Sequence, residues 1–174
     1  MSNKVQFKYP ALLEATEKKT GFTGVITSRC QMLNGCIQYA IQPKCAVDKT
    51  HEYPTATWLD EQTIQVTPAD KEEIRPQVHE FQFTPGEEVK SMISGLRGII
   101  TEVILDSNGC ERLVIKCKPN KLGLAEISSG FTCEFKKTSS GILPSLKKVV
   151  KEMAKPVKKA TSGCAPRTVS WERF

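Results

Sequence analysis

Long apolar runs are missing from this 174-residue chain. No stretch approaches the ~20 apolar residues that a membrane-spanning helix needs, so no membrane partner is expected. The opening segment, MSNKVQFKYP, has no apolar core of the kind a secretory signal carries, and a secreted protein is not expected. Aromatic residues make up only 7%, which predicts small, mostly aliphatic cores. The seven cysteines include no CxxC pair. An odd count without a signal points to reduced thiols in a cytosol. Catalytic signatures are also absent. There is no P-loop, no G-x-S-x-G and no HExxH. The two histidines are His51 and His79. Asp60 and Glu61 are adjacent, and strand neighbours point to opposite faces, which is a poor layout for paired acid–base work. The sequence therefore predicts a protein that is not an enzyme and holds no cofactor.

What the chain does contain is a repeat. GFTGVITSRCQMLNGC, residues 21–36, returns 74 positions later as GLRGIITEVILDSNGC, residues 95–110. Extended both ways, residues 5–44 lie over 79–118 without a gap, and 11 of the 40 pairs are identical. The chain reads as two copies of one unit. Each is roughly 60 residues, a size marginally stable alone, so the copies are expected to pack on each other or on a partner. The boundaries drawn are 1–67 and 79–136 for the units, 68–78 for a polar Pro-bounded linker and 137–174 for a tail.

Within the units the patterning is that of β-strands. Val5, Phe7 and Tyr9 alternate with polar residues, and His79, Phe81 and Phe83 repeat the pattern. Residues 11–20 are read as a loop or irregular edge, because the second copy opens that stretch with Pro-Gly. Gly21 and Gly24, with Gly95 and Gly98, are assigned to a tight turn needing positive φ. Residues 25–27 then form a strand. Asn34-Gly35 and Asn108-Gly109 signal hairpin turns of type I′, with φ > 0 at both residues. On the return strands, positions 39/113 and 41/115 share the inner face. Short strands at 63–66 and 131–135 close the copies. Four to five short strands per copy, joined by Gly-rich turns, predict a small antiparallel barrel.

The tail is different. Residues 137–174 hold nine Lys/Arg and two Glu, a net +7, while the other 136 residues sum to −1. Charge placed this way reports a partner for the tail. Leu146, Val149, Val150 and Met153 recur at helical spacing, with Lys147, Lys148, Lys151 and Lys155 on the other sides. Pro144 suits the first turn of that helix and Pro156 ends it. Trp171 and Phe174 are anchor-type residues on a polar strip. These four lysines and two aromatics are the expected partner contacts.

A unit that opens with a G-x-x-G-x-[IV] turn resembles SH3-like and KOW-like modules. The residues that carry the likeness are Gly21, Gly24, Val25, Ile26 and Thr27, with Gly95, Gly98, Ile99, Ile100 and Thr101. The first copy, through GFTGVIT, NGCIQYAIQP and TWLDE, is also similar to small proteins of tailed bacteriophages. A comparison with the GXXG loop of KH domains fails, because that loop joins helices and here it runs into a β-branched strand. Cys30, Cys36, Cys45 and His51 form the nearest thing to a metal set, but their spacing matches no common zinc pattern and Ile104 replaces Cys30 in the second copy. The expected fold is all-β: two tandem SH3-like antiparallel barrels with a basic C-terminal amphipathic helix and an extended tail. The resemblance implies a phage virion-associated structural protein (capsid, decoration or head–tail) that binds neighbouring subunits, in the virion or host cytoplasm. The alternatives are nonspecific nucleic-acid binding through the tail, with few aromatics free to stack on bases, and inhibition of a host protein.

Overall fold

The structure is a computed structural model and describes residues 3–44, 55–66, 74–119, 125–138 and 167–168. It is all-β and antiparallel. The first unit contributes β1 (Asn3–Phe7), β2 (Glu14–Glu17), β3 (Thr23–Met32), β4 (Ile37–Gln42), β5 (Thr57–Asp60) and β6 (Ile64–Val66). The second contributes β7 (Gln77–Phe81), β8 (Glu88–Ser91), β9 (Arg97–Asp106), β10 (Glu111–Pro119), β11 (Ala125–Phe131) and β12 (Phe135–Lys137). The last strand, β13 (Arg167–Thr168), comes from the tail. The first three strands of each unit coincide at the 74-residue offset, so the sequence repeat is a structural one.

The units are interlocked. Strands run in the order β11-β10-β9-β3-β4-β5-β13 through a single sheet, and β1 pairs with β7 in a separate ribbon. The sheet crosses from one unit to the other where β3 meets β9, with Cys30 opposite Ile104. In the ribbon, Val5 lies opposite His79. Both pairs join repeat-equivalent positions, so both joints share one pseudo-twofold relation. Reciprocal hydrogen bonds obey it too: Leu33 N–H donates to the Thr101 carbonyl and Ser107 N–H to the Thr27 carbonyl, both at 2.8 Å.

The strands make sheets and do not close into barrels. The physical reason lies in the joints. A unit closing on itself would have to pair its own edges, but β1 is spent on the other unit, as is the Ser28–Met32 half of one β3 edge, of which only the start is left to β2. Two cores result. Tyr9, Ala15, Ile26, Tyr39, Ile41, Leu59, Ile64 and Val66 fill one. The other is built from the second unit, including Phe81, Phe83, Ile100, Leu113 and Ile115, and also takes Val5 and Phe7 from β1. The inner-face assignment of 39/113 and 41/115 holds, all four being fully buried.

Several local expectations change. Residues 14–17, read as loop, form β2 between β3 and β6, with Ala15 and Glu17 buried. The stretch 131–135 is not one strand: β11 ends at Phe131, a 3-10 turn spans Thr132–Glu134, and β12 follows. The Asn34-Gly35 turn is not type I′, since φ is positive only at Gly35 (83°). Gly35 N–H donates to Met32 O and Met32 N–H to Cys36 O, both at 2.9 Å, a type I turn followed by a left-handed glycine. Asn34 instead accepts the Cys36 N–H on its side-chain oxygen at 3.0 Å. The second copy repeats this at Asn108 and Gly109. Gly21 and Gly95 do have positive φ, 73° each, but Gly24 and Gly98 do not. Their need for glycine is space: a Cβ at Gly24 would press into the Gln42 carbonyl, and one at Gly98 would lie 2.8 Å from that of Lys116.

Candidate functional site

The face of the sheet turned away from the cores differs between the two units. In the first unit it carries Ser28 opposite Ala40 and Ala40 opposite Trp58. The repeat-equivalent positions of Ser28 and Ala40 are Glu102 and Val114. Opposite Val114, where Trp58 would be matched, stands Ser129. Small residues beside a tall indole leave a depression, whereas Glu102, Val114 and Ser129 level the face. A groove of about 360 Å³ accordingly exists in the first unit, lined by Thr27, Ser28, Ala40, Gln42, Ala56, Trp58 and Arg112.

Its far wall belongs to the second unit. Arg112 on β10 donates from Nε to Asp106 Oδ2 and from a terminal nitrogen to Asp106 Oδ1, both at 2.7 Å. Ser28 Oγ donates to the same Oδ1 at 2.7 Å. A bidentate guanidinium–carboxylate pair of this kind fixes both side chains in a plane. The pair is neutral as a whole, so it offers a polar rim more than a net charge. Along the row on the other side, Gln38 donates to Asp60 at 2.8 Å.

The groove ends at β5, and there the sheet accepts an added strand. Arg167 pairs with Trp58 and Thr168 with Thr57, antiparallel. An open strand edge presents unpaired N–H and C=O groups that any extended segment can satisfy. Here a segment of the tail does so, in the mode by which sheets bind peptides.

No family model, curated protein or solved structure matches this chain. Function has to be argued from its own residues.

The sequence-predicted contacts Lys147, Lys148, Lys151, Lys155, Trp171 and Phe174 lie outside the described residues, as does the expected helix. Cys45 and His51 of the considered metal set lie outside them too. Of its other members, Cys30 is buried on β3 and Cys36 half-buried after the hairpin turn, and among the described residues no three metal-type side chains cluster. No helix among them is long and apolar enough to cross a membrane. The strand aromatics Phe7, Tyr9, Tyr39, Phe81 and Phe83 are buried. His79 donates or accepts at 2.7 Å from Glu111, packing edge-on to Phe81. Asp60 and Glu61 diverge as expected: Asp60 meets Gln38, and Glu61 meets the Tyr39 hydroxyl at 2.8 Å.

Sequence reasoning missed the groove and the β5 edge. The small pair Ser28/Ala40 against Glu102/Val114 was the available signal, but it acquires meaning only once β5 is known to lie beside β4. It also missed Arg29, which is 4% exposed. Its guanidinium donates to Gln77 at 2.5 Å and lies over the Phe7 ring, 5.0 Å from the centroid, while Nε has no partner among the described residues.

Proposed function

We propose that this chain is a non-enzymatic interaction protein, a virion-associated subunit of the phage type that binds neighbouring proteins through its sheet edges and C-terminal segment. The observation that carries this reading is the pairing of Arg167–Thr168 with β5. A chain whose tail adds to a sheet edge has both halves of a strand-exchange contact, the acceptor edge and the donor segment. The groove beside Trp58 supplies a side-chain pocket next to that edge, which is how strand addition acquires specificity. The likeness of the first copy to small tailed-phage proteins supplies the setting, and the kinship of each unit with SH3-like and KOW-like modules belongs to the same proposal. The basic amphipathic helix that the sequence of the tail predicts belongs to the proposal as a second contact surface.

The test is quantitative mass spectrometry of purified particles, paired with a Thr168→Pro variant that removes the N–H at the strand-pairing position. The expected result is the chain at subunit-like copy number, reduced several-fold by the variant. Absence from particles at any comparable abundance overturns the reading.

The net +7 of residues 137–174 favours one alternative, nonspecific binding of nucleic acid by the tail. That mechanism predicts an affinity falling steeply with salt as counterions are released. Duplex binding undiminished at high salt contradicts it.

A further inference from the structure

The run of seven strands has two ends, and they are not alike. At one end β5 is covered by β13. At the other, β11 pairs only with β10 among the described residues. By the pseudo-twofold relation the two edges are counterparts, each lying outside the return strand of its unit. Among the described residues there is one covering strand for two edges.

The β11 edge carries few of the devices that keep strand edges apart: one charge, Glu126, and an irregular pairing with β10 between Lys116 and Pro119. Its sequence, AEISSGF, has no Pro and no Lys, and edges so built are prone to pair. Ile127 is 69% and Phe131 46% exposed, large apolar side chains on one strand. Both stand on the face away from the cores, opposite Lys116 and Arg112 respectively.

We infer that β11 is a self-association edge, pairing antiparallel with β11 of a second copy of this chain about a twofold axis at Ser128. This deepens the proposed function by naming the partner at one edge. The chain already contains the precedent, since β3 and β9 join two copies of the unit by the same antiparallel contact about a dyad. The register follows from charge and size. With Ser128 opposite Ser128, Glu126 falls opposite Gly130, so the single acid of each strand does not face its counterpart. Ile127 falls opposite Ser129. The diagonal neighbours of Ile127, within reach across an antiparallel pair, are then Ile127 and Phe131 of the second copy. Four exposed apolar side chains become one contiguous cluster across the joint.

Light scattering with in-line chromatography on the full chain, over a range of concentrations, tests this. The expected mass rises from one chain to two. Ile127→Lys with Ser129→Lys in one chain sets lysines against each other twice across the joint, and this variant stays monomeric while folded, its melting temperature falling only as far as that of Ile127→Lys alone, whose new charge faces Lys116 within the chain. Ile127→Lys with Ser129→Glu places Lys opposite Glu twice and restores the dimer. A single-chain mass at every concentration overturns the proposal, as does a dimer indifferent to the double lysine variant. Failure of the Lys/Glu variant to dimerise overturns the Ser128 axis. A monomer that is nonetheless present in particles at subunit abundance refutes this inference and leaves the proposed function standing.

Discussion

Tyr39 is the residue on which the first core's polar contacts converge. It is fully buried, its hydroxyl donates to Glu61 at 2.8 Å and accepts the Tyr9 N–H at 3.2 Å, and the repeat-equivalent position is Leu113. Burial, reinforced by the Glu61 carboxylate, holds the phenol well above its ordinary value of 10.0. The sign follows from linkage. A folded-state pKa raised above the unfolded one contributes stability that is fully present below the unfolded value and is lost as pH rises towards the folded one. Tyr39 should therefore steepen the loss of stability above about pH 10. Tyr39→Phe is expected to cost about 1–2 kcal/mol near neutral pH and to flatten the alkaline limb, as urea unfolding of both proteins between pH 7 and 11 would show. Parallel curves for the two proteins would count against this role. At this scale the sequence was half legible. The alternation that buries Tyr39 and Ile41 is visible by eye. That Gly21 serves φ while Gly24 serves the approach of a carbonyl is not, because glycine satisfies either demand.

At the scale of the element, β3 and β9 show what one strand can tolerate in two contexts. Both run ten residues between the same turns, yet Arg29 stands where β9 has Val103. Desolvation pulls the Arg29 guanidinium below its ordinary pKa, and the side chain meets the Gln77 amide oxygen and the Phe7 ring. A buried cation held this way is a weak source of stability, and an apolar side chain of similar length often does as well or better. Arg29→Met should leave thermal stability unchanged or raise it by about 1–2 kcal/mol, read as the melting temperature. A loss of similar size would mean that Arg29 holds the ribbon to the sheet through Gln77. The element scale is also where the loop reading of residues 14–17 failed. β2 has four residues and two buried side chains, too few to establish a period, and one of its two partners, β6, lies far downstream in the chain. Strand pairing stabilised it where local pattern was silent.

For the whole molecule, the repeat in sequence left two architectures open: units side by side, or units woven together. Both need the same alternation, the same turns and the same glycines, so nothing local separates them. What separates them is the choice of partner for β1 and for the outer half of β3, and the structure gives both to the other unit. Val5 and Phe7 then sit in a core made otherwise by the second unit, and the Phe7 ring lies edge-on to both Tyr39 and Phe81, at 6.5 and 6.2 Å between centroids. Phe7 thus touches the aromatic centre of each core. Removing the first unit would take two apolar side chains out of the second core and expose the Glu102–Asp106 half of one β9 edge. Losses of several kcal/mol of burial, set against the marginal stability of a domain near 60 residues, leave neither half able to fold alone. Residues 1–73 and 74–174, expressed separately, should each lack the cooperative melting of the full chain and should regain strand signal in circular dichroism when mixed. The intact chain should melt in one calorimetric transition, with calorimetric and van't Hoff enthalpies in agreement. Two separate transitions, or a half that melts cooperatively by itself, would show that the joints are docking contacts between independent units and that the weave contributes little to the fold.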